Sequence, residues 1–339
     1  MQNYGICSCI CHFFCVSLRT FCAQDMKLSI ITINRNNAAG LRKTMESVFS
    51  QTYKDFEYIV VDGASDDGSV EVVKEFEQKI NPSFQGGDGV GFFTWISEPD
   101  TGIYNAMNKG IEIAEGKRVV NPFNRSERSE CENKVIKDGY VLMLNSGDYL
   151  VDEHVIERIM PELHTEEIIQ GNVIEDYPDK TIRFRGYGKS DISFVDAMDA
   201  NFPHQAMFIK LSTMREYGYY DDSYKKSSDT YFFIKVLAFD NATFRYVDLD
   251  ITNFDPNGIS SKKDPKWIEI EEKEDTRWFG EHVSIRLSKY CNQASQAIRV
   301  YETLYQIKWI GWIVNALLAI SRRLKPLKPN VKTELIVRK

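Results

Sequence analysis

Tyr58-Ile-Val-Val61 runs directly into Asp62-Gly-Ala-Ser-Asp-Asp-Gly68, and this change of character decides the fold. A short, wholly apolar run fits a strand buried on both faces of a parallel sheet. The pattern recurs where Leu28-Ser-Ile-Ile-Thr-Ile33 gives way to Asn34-Arg-Asn-Asn37, and where Tyr140-Val-Leu-Met-Leu144 gives way to Asn145-Ser-Gly-Asp148. Ligands of open parallel sheets lie beyond the carboxyl ends of the strands, where the strand order reverses. Strand ends of this composition predict one crevice, with carboxylates and small residues but no Gly-x-Gly-x-x-Gly turn. It suits a nucleotide whose diphosphate is bridged by a metal ion.

Helical spacing fills the intervals. Leu41, Met45, Val48 and Phe49 predict a helix over 39–49, and Ser69 is placed to cap one running through Val72, Val73 and Phe76. Phe93-Thr-Trp-Ile96 reads as a strand, followed by a helix over 102–114 with Ile103, Met107, Ile111 and Ala114 on one face. Strands alternating with helices predict a doubly wound α/β fold, its sheet mostly parallel with helices on both faces. Pro82 and Gly86-Gly-Asp-Gly-Val-Gly91 predict a long loop, and the polar stretch 117–139 a surface insertion. A helix is expected over 153–160, and beyond it the pattern is less regular. No internal repeat is evident.

The 339 residues suffice for one large α/β domain with an extension. A net charge of −7 argues against broad electrostatic binding to nucleic acid. Of the seven cysteines, Cys7, Cys9, Cys11, Cys15 and Cys22 precede Met26, which leaves Cys131 and Cys291 for the body and suggests a reduced protein. Residues 1–25 read as an upstream extension outside the fold. A signal peptide is disfavoured because Arg19 follows the apolar stretch, and a metal site because Cys-x-Cys-x-Cys lacks spaced pairs. Residues 262–339 read as a helical C-terminal extension with a basic tail. Within it Trp309-Ile-Gly-Trp-Ile-Val-Asn-Ala-Leu-Leu-Ala-Ile320 falls short of the ~20 residues a spanning helix needs. Its tryptophans and the basic residues after it suit peripheral membrane contact through 306–328, against the alternative of a helix packed on the body.

Asp62, between a buried strand and Gly63, can accept from a base N–H or a ribose hydroxyl, or cap its own turn. Asp148 is placed as a ligand for Mg²⁺ or Mn²⁺, which bridges a diphosphate with only one or two protein carboxylates, or as a turn aspartate.

Ser29–Asn34, Ser47-Val-Phe-Ser-Gln-Thr-Tyr53, Tyr58–Ser69, Ser97-Glu-Pro-Asp-Thr-Gly-Ile-Tyr-Asn-Ala-Met-Asn-Lys-Gly110 and Leu144–Asp148 together resemble the family-2 nucleotide-sugar glycosyltransferases, most of all bacterial members that build surface polysaccharides. The resemblance runs over 26–261, interrupted by 117–139. It implies a GT-A fold, a nucleotide-sugar donor, a divalent metal, inversion at the anomeric carbon and an acceptor that is a polysaccharide, lipopolysaccharide or lipid-linked saccharide. It also implies work in the cytoplasm at the inner face of the cell membrane. By motif, Thr32, Asn34 and Asp62 line the nucleoside pocket, Asp100 and Asn108 flank it, and Asp148 contacts the metal. Asn145 and Gly147 stand where many relatives carry aspartate, and Asn145 retains the ability to bond ribose or diphosphate oxygens. Asp229 in Ser227-Ser-Asp-Thr-Tyr231 matches the position that acts as base. His204 and Gln205 match residues facing acceptor or donor phosphate, although His204 also reads as a structural histidine.

Two rival functions stand beside this one. A sugar nucleotidyltransferase would carry a glycine-rich basic loop after the first strand, which Asn34-Arg-Asn-Asn-Ala-Ala-Gly40 matches poorly. An inactive nucleotide-sugar-binding subunit is suggested by Asn145 and Gly147, and is opposed by Asp62, Asp148 and Asp229 occurring together.

Overall fold

The computed structural model describes residues 27–80, 93–118, 139–177, 180–188, 190, 192, 196, 202–256, 264–283 and 333–336. Each apolar run is a strand: β1 (Leu28–Asn34), β2 (Glu57–Asp62), β3 (Phe93–Ser97) and β4 (Tyr140–Met143). β1 lies between β2 and β4, β3 flanks β2, and all of these pairings are parallel. Alternate side chains feed separate cores. Ile31, Ile59, Val61, Val141 and Met143 pack with α3 (Ile103–Ala114), while Ile30, Tyr58, Val60 and Leu142 pack with α1 (Ala38–Phe49) and α2 (Ser69–Ile80). A strand apolar on both faces is thereby covered on both, and the α/β architecture follows.

After β3 the chain returns past β1 to form β4, so the strand order reverses between β1 and β4. That is the switch point at which a ligand crevice is expected. Beyond β4 the pairing changes. β8 (Met207–Lys210) runs antiparallel to β4, and β6 (Ile168–Asp176) antiparallel to β8. The long β9 (Phe244–Phe254) lies parallel to β6, with irregular register between Gln170 and Val173, and its far end pairs with β5 (Tyr149–Leu150). β7 (Thr181–Phe184) and β10 (Thr333–Ile336) complete that edge. Among the described residues the remaining α-helices are α4 (Val155–Ile159), α5 (Leu211–Tyr217), α6 (Ser228–Ile234) and α7 (Pro265–His282). The last of these stacks Trp278 on Tyr231 of α6, the rings 5.1 Å apart and nearly parallel at 7°.

Local expectations need amendment at two places. Ser69 lies inside α2, and Asp67 accepts from its backbone N–H at 3.1 Å and from its hydroxyl, so Asp67 makes the capping contact. The helix expected over 153–160 is shorter, because Pro161 cannot donate to the preceding turn and the chain tightens to a 3₁₀ turn over Met160–Glu162. The leader 1–25, the Pro82–Gly91 loop, most of the 117–139 insertion and the 306–328 tail lie outside the described residues. Among the described residues, no helix is long and apolar enough to cross a membrane.

Candidate active site

At the end of β1, Asn34 is buried, and its Nδ2 donates to Asp62 Oδ1 at 2.9 Å. Asp62 ends β2 with no solvent exposure and accepts further bonds from the Ser65 N–H, the Ser65 hydroxyl and the Ser97 hydroxyl. Burial works against its charge, but these donors, led by Ser65, hold its carboxyl below the usual aspartate range. Asp62 is therefore the knot that ties the ends of β1, β2 and β3 together. Asp100 lies over this knot. Its Oδ2 comes so near Gly63 that a Cβ there would sit 2.3 Å away, and Arg35 approaches its other oxygen at 3.6 Å. A side chain at position 63 would push the Asp100 carboxylate aside.

Other residues expected in the nucleoside pocket have different occupations. The Thr32 hydroxyl is fully buried and accepts from the Tyr58 hydroxyl at 3.1 Å. Asn108 is engaged at both ends of its amide, donating to the Tyr220 carbonyl at 2.7 Å and accepting from the Tyr220 N–H at 3.1 Å. These bonds fasten α3 to the turn before α6.

At the end of β4 the chain turns through Gly147 (φ +110), a left-handed conformation that suits glycine. Helix α1 holds this turn: the Thr44 hydroxyl donates to the Asp148 carbonyl at 2.6 Å and accepts from the Gly147 N–H at 3.0 Å. Ser47 accepts from the Leu150 N–H, and Gln51 bridges the Asp152 carbonyl and the Ile156 N–H. The Ser47–Tyr53 motif thus works as a clasp that sets the height of Asp148.

Asp148 is 5% exposed, and its Oδ1 accepts from the Asp255 N–H at 2.9 Å. Burial pushes its carboxyl up to about 7 despite that bond and the nearby His204, and the Asp255 carboxylate pushes the same way. The Asp255 side chain lies against Gly147, where a Cβ would come within 2.8 Å of its Oδ2. Two carboxylates therefore converge on the β4 end from strands far apart in sequence.

The second half brings up Asp229, in the first turn of α6. Its Oδ2 lies 2.9 Å from His204 Nδ1 and its Oδ1 2.8 Å from the Tyr104 hydroxyl, which also reaches the Lys226 carbonyl at 2.5 Å. A carboxylate needs a donor, so His204 Nδ1 carries a proton, and His204 Nε2 meets Asn145 Nδ2 at 3.0 Å. Burial opposes charge on both partners. The bond and charge between them still hold the imidazole above its ordinary pKa and the carboxyl below its own. Gln205 is buried beside His204 in the 3₁₀ turn His204–Ala206. The Asn34 and Asn145 Oδ1 atoms are buried without a hydrogen-bond partner, which leaves free acceptors at both strand ends. The imidazole thus bridges the β4 end to α6, joining Asn145, His204 and Asp229 in one run.

Residues 29–124 match the family model described as Glycosyl transferase family 2. That stretch is a glycosyltransferase family 2 domain. An uncharacterized glycosyltransferase of Mycobacterium tuberculosis is 28% identical over 249 residues, covering 71% of this chain and 79% of the relative. A PGL/p-HBAD biosynthesis glycosyltransferase of Mycobacterium bovis is 24% identical over 233 residues, covering 68% and 77%. Among solved structures, Staphylococcus aureus TarS in complex with UDP-GlcNAc superposes with a TM-score of 0.50 at 15% identity, over 72% of this chain and 64% of that one. That likeness is one of fold and places this glycosyltransferase in the GT-A architecture.

Three residues of this candidate site were not singled out by sequence reasoning. Tyr104 lies within the Ser97–Gly110 motif and Asp255 just beyond β9, yet nothing local marks either as facing Asp229 or Asp148. Ser65 is one small polar residue among several in its turn, and only its bonds to Asp62 distinguish it.

Proposed function

We propose that the crevice at the ends of β1 and β4 binds a nucleotide-diphosphate sugar with a divalent cation and transfers the sugar, with inversion, to a saccharide or lipid-linked saccharide acceptor. The observation that carries this reading is the Asn145–His204–Asp229 run, which joins the β4 end, where the diphosphate would lie, to a buried carboxylate from the other half of the domain. The UDP-GlcNAc bound by TarS supports a nucleotide-sugar donor, and the biosynthetic name of the mycobacterial relative supports a glycoconjugate acceptor.

The residues present fit a cation. Among the described residues no group of three or more acidic, histidine or cysteine side chains gathers at one point. An ion shared with a diphosphate needs only one or two protein carboxylates, and Asp148 with Asp255 supplies them. Bound there, the ion would stabilise charge on the departing diphosphate. The unpartnered oxygens of Asn34 and Asn145 accept from base or ribose donors, with Asp100 at the rim and His204 and Gln205 beside the phosphates. Asp62 contributes by fixing the pocket floor. Asp229 accepts the proton of the attacking acceptor hydroxyl, on the face of the sugar opposite the leaving group. Its bond to His204 keeps it ionised for that purpose, and Tyr104 fixes its orientation.

Asp229→Asn tests the assignment. Release of nucleotide diphosphate from a panel of UDP-, GDP- and dTDP-sugars with Mn²⁺ should fall by ~10²–10⁴-fold, while UDP affinity by calorimetry stays within about twofold. Turnover near the wild-type rate would remove Asp229 from the mechanism.

A further inference from the structure

We propose that Glu274, on α7, is a positioning residue of the transfer site: it holds the segment that carries Asp229. This inference rests on the reading of Asp229 as proton acceptor. Glu274 is 9% exposed and lies far along the chain from the strand-end motifs. Its Oε1 accepts from the Lys225 N–H at 2.5 Å, and its Oε2 from the N–H groups of Lys226 and Ser227, each at 3.1 Å. Consecutive backbone N–H groups converging on one anion form a nest, and bonds to a charged acceptor are stronger than neutral ones.

The place of this nest in the chain gives it a consequence. Ser228 and Asp229 follow at once and open α6, so the carboxylate fixes the backbone immediately before the proton acceptor. The Lys226 carbonyl, inside the same segment, lies 2.5 Å from the Tyr104 hydroxyl that also bonds Asp229. One side chain on α7 thereby sets both the backbone leading to Asp229 and a bond that orients its carboxylate. The rest of α7 keeps Glu274 in register: the Tyr231 hydroxyl donates to Asp275 Oδ1 at 2.7 Å, Trp278 stacks on Tyr231, and Lys226 pairs with Glu271. Glutamine at 274 would keep the bulk but turn an NH₂ group toward backbone donors. Glu274→Gln therefore separates the nest from packing.

Three measurements on the full-length protein test this: hydrogen exchange at the amides of 225–227, the downfield Nδ1–H proton resonance of His204 that reports its bond to Asp229, and nucleotide-diphosphate release from the same sugar panel. Glu274→Gln should speed exchange at 225–227 by about tenfold or more and shift or broaden the His204 resonance. It should lower turnover by about 10–100-fold, with UDP affinity in Mn²⁺ within about twofold. Glu269→Gln, on the exposed side of the same helix, should change none of these. If Glu274→Gln does not fold, Glu274→Asp keeps the charge at shorter reach and should show the same pattern in weaker form. Unchanged exchange, or an unchanged His204 resonance, in the folded variant overturns the inference. Failure of the underlying reading looks different: Asp229→Asn would then retain turnover while the exchange and resonance effects of Glu274→Gln persist.

Discussion

Asp62 carries a buried charge that side-chain and backbone donors from Asn34, Ser65 and Ser97 keep ionised. Its native pKa is depressed, so its contribution to stability is present above the unfolded aspartate value of about 3.9 and is lost as pH falls through the lower native value. Asp62→Asn should cost ~1–3 kcal/mol at neutral pH, because donors aimed at a carboxylate then face an NH₂ group. The gap to wild type should narrow on acidification, as denaturant titrations at pH 7 and pH 3 would show. A constant gap would mean that Asp62 is not the charge these donors hold. Asp148→Ala addresses the other strand end. UDP binding measured by calorimetry should lose its dependence on Mn²⁺ while the thermal transition remains cooperative, and retained Mn²⁺ dependence would assign the ion to other ligands.

Helix α3 shows what an element requires of its sequence beyond periodicity. Its apolar positions mark the buried face, but its closeness to β1 depends on Gly110, where a Cβ would come within 2.4 Å of Ile31 Cγ2. Gly110→Ala should destabilise the protein by ~1–3 kcal/mol through overpacking, outweighing the intrinsic helix preference for alanine of ~1 kcal/mol. Thermal unfolding decides this, and a raised Tm would show that the helix can move away at little cost. The apolar stripes of α1, α2 and α3 were legible because 3.6-residue periodicity survives in a helix with one buried face. The elements after Asp148 were less so: α4 was expected but stops at Ile159, just before the turn that holds Pro161, and the long β9 alternates too irregularly to announce its pairing with β6.

For the molecule as a whole, we propose from the composition of Trp309–Ile320 and the basic residues after it a contact with an anionic membrane surface. Replacing Trp309 and Trp312 together with serine should reduce sedimentation with phosphatidylserine-containing vesicles, and added salt should weaken binding of the wild type. Equal sedimentation of the two proteins would dismiss the contact. The sequence by itself determined the α/β architecture and which strand ends carry polar side chains, because buried parallel strands leave continuous apolar runs that break off where the strands end. It also named Asp148, Asp229 and His204, through motifs that span only a few residues each. Only the tertiary structure decided which of these meet. The Asn145–His204–Asp229 run, the approach of Asp255 to Gly147 and the grip of Glu274 on 225–227 all join segments far apart in the chain. Nothing in the local pattern of one segment encodes the partner that folding brings against it.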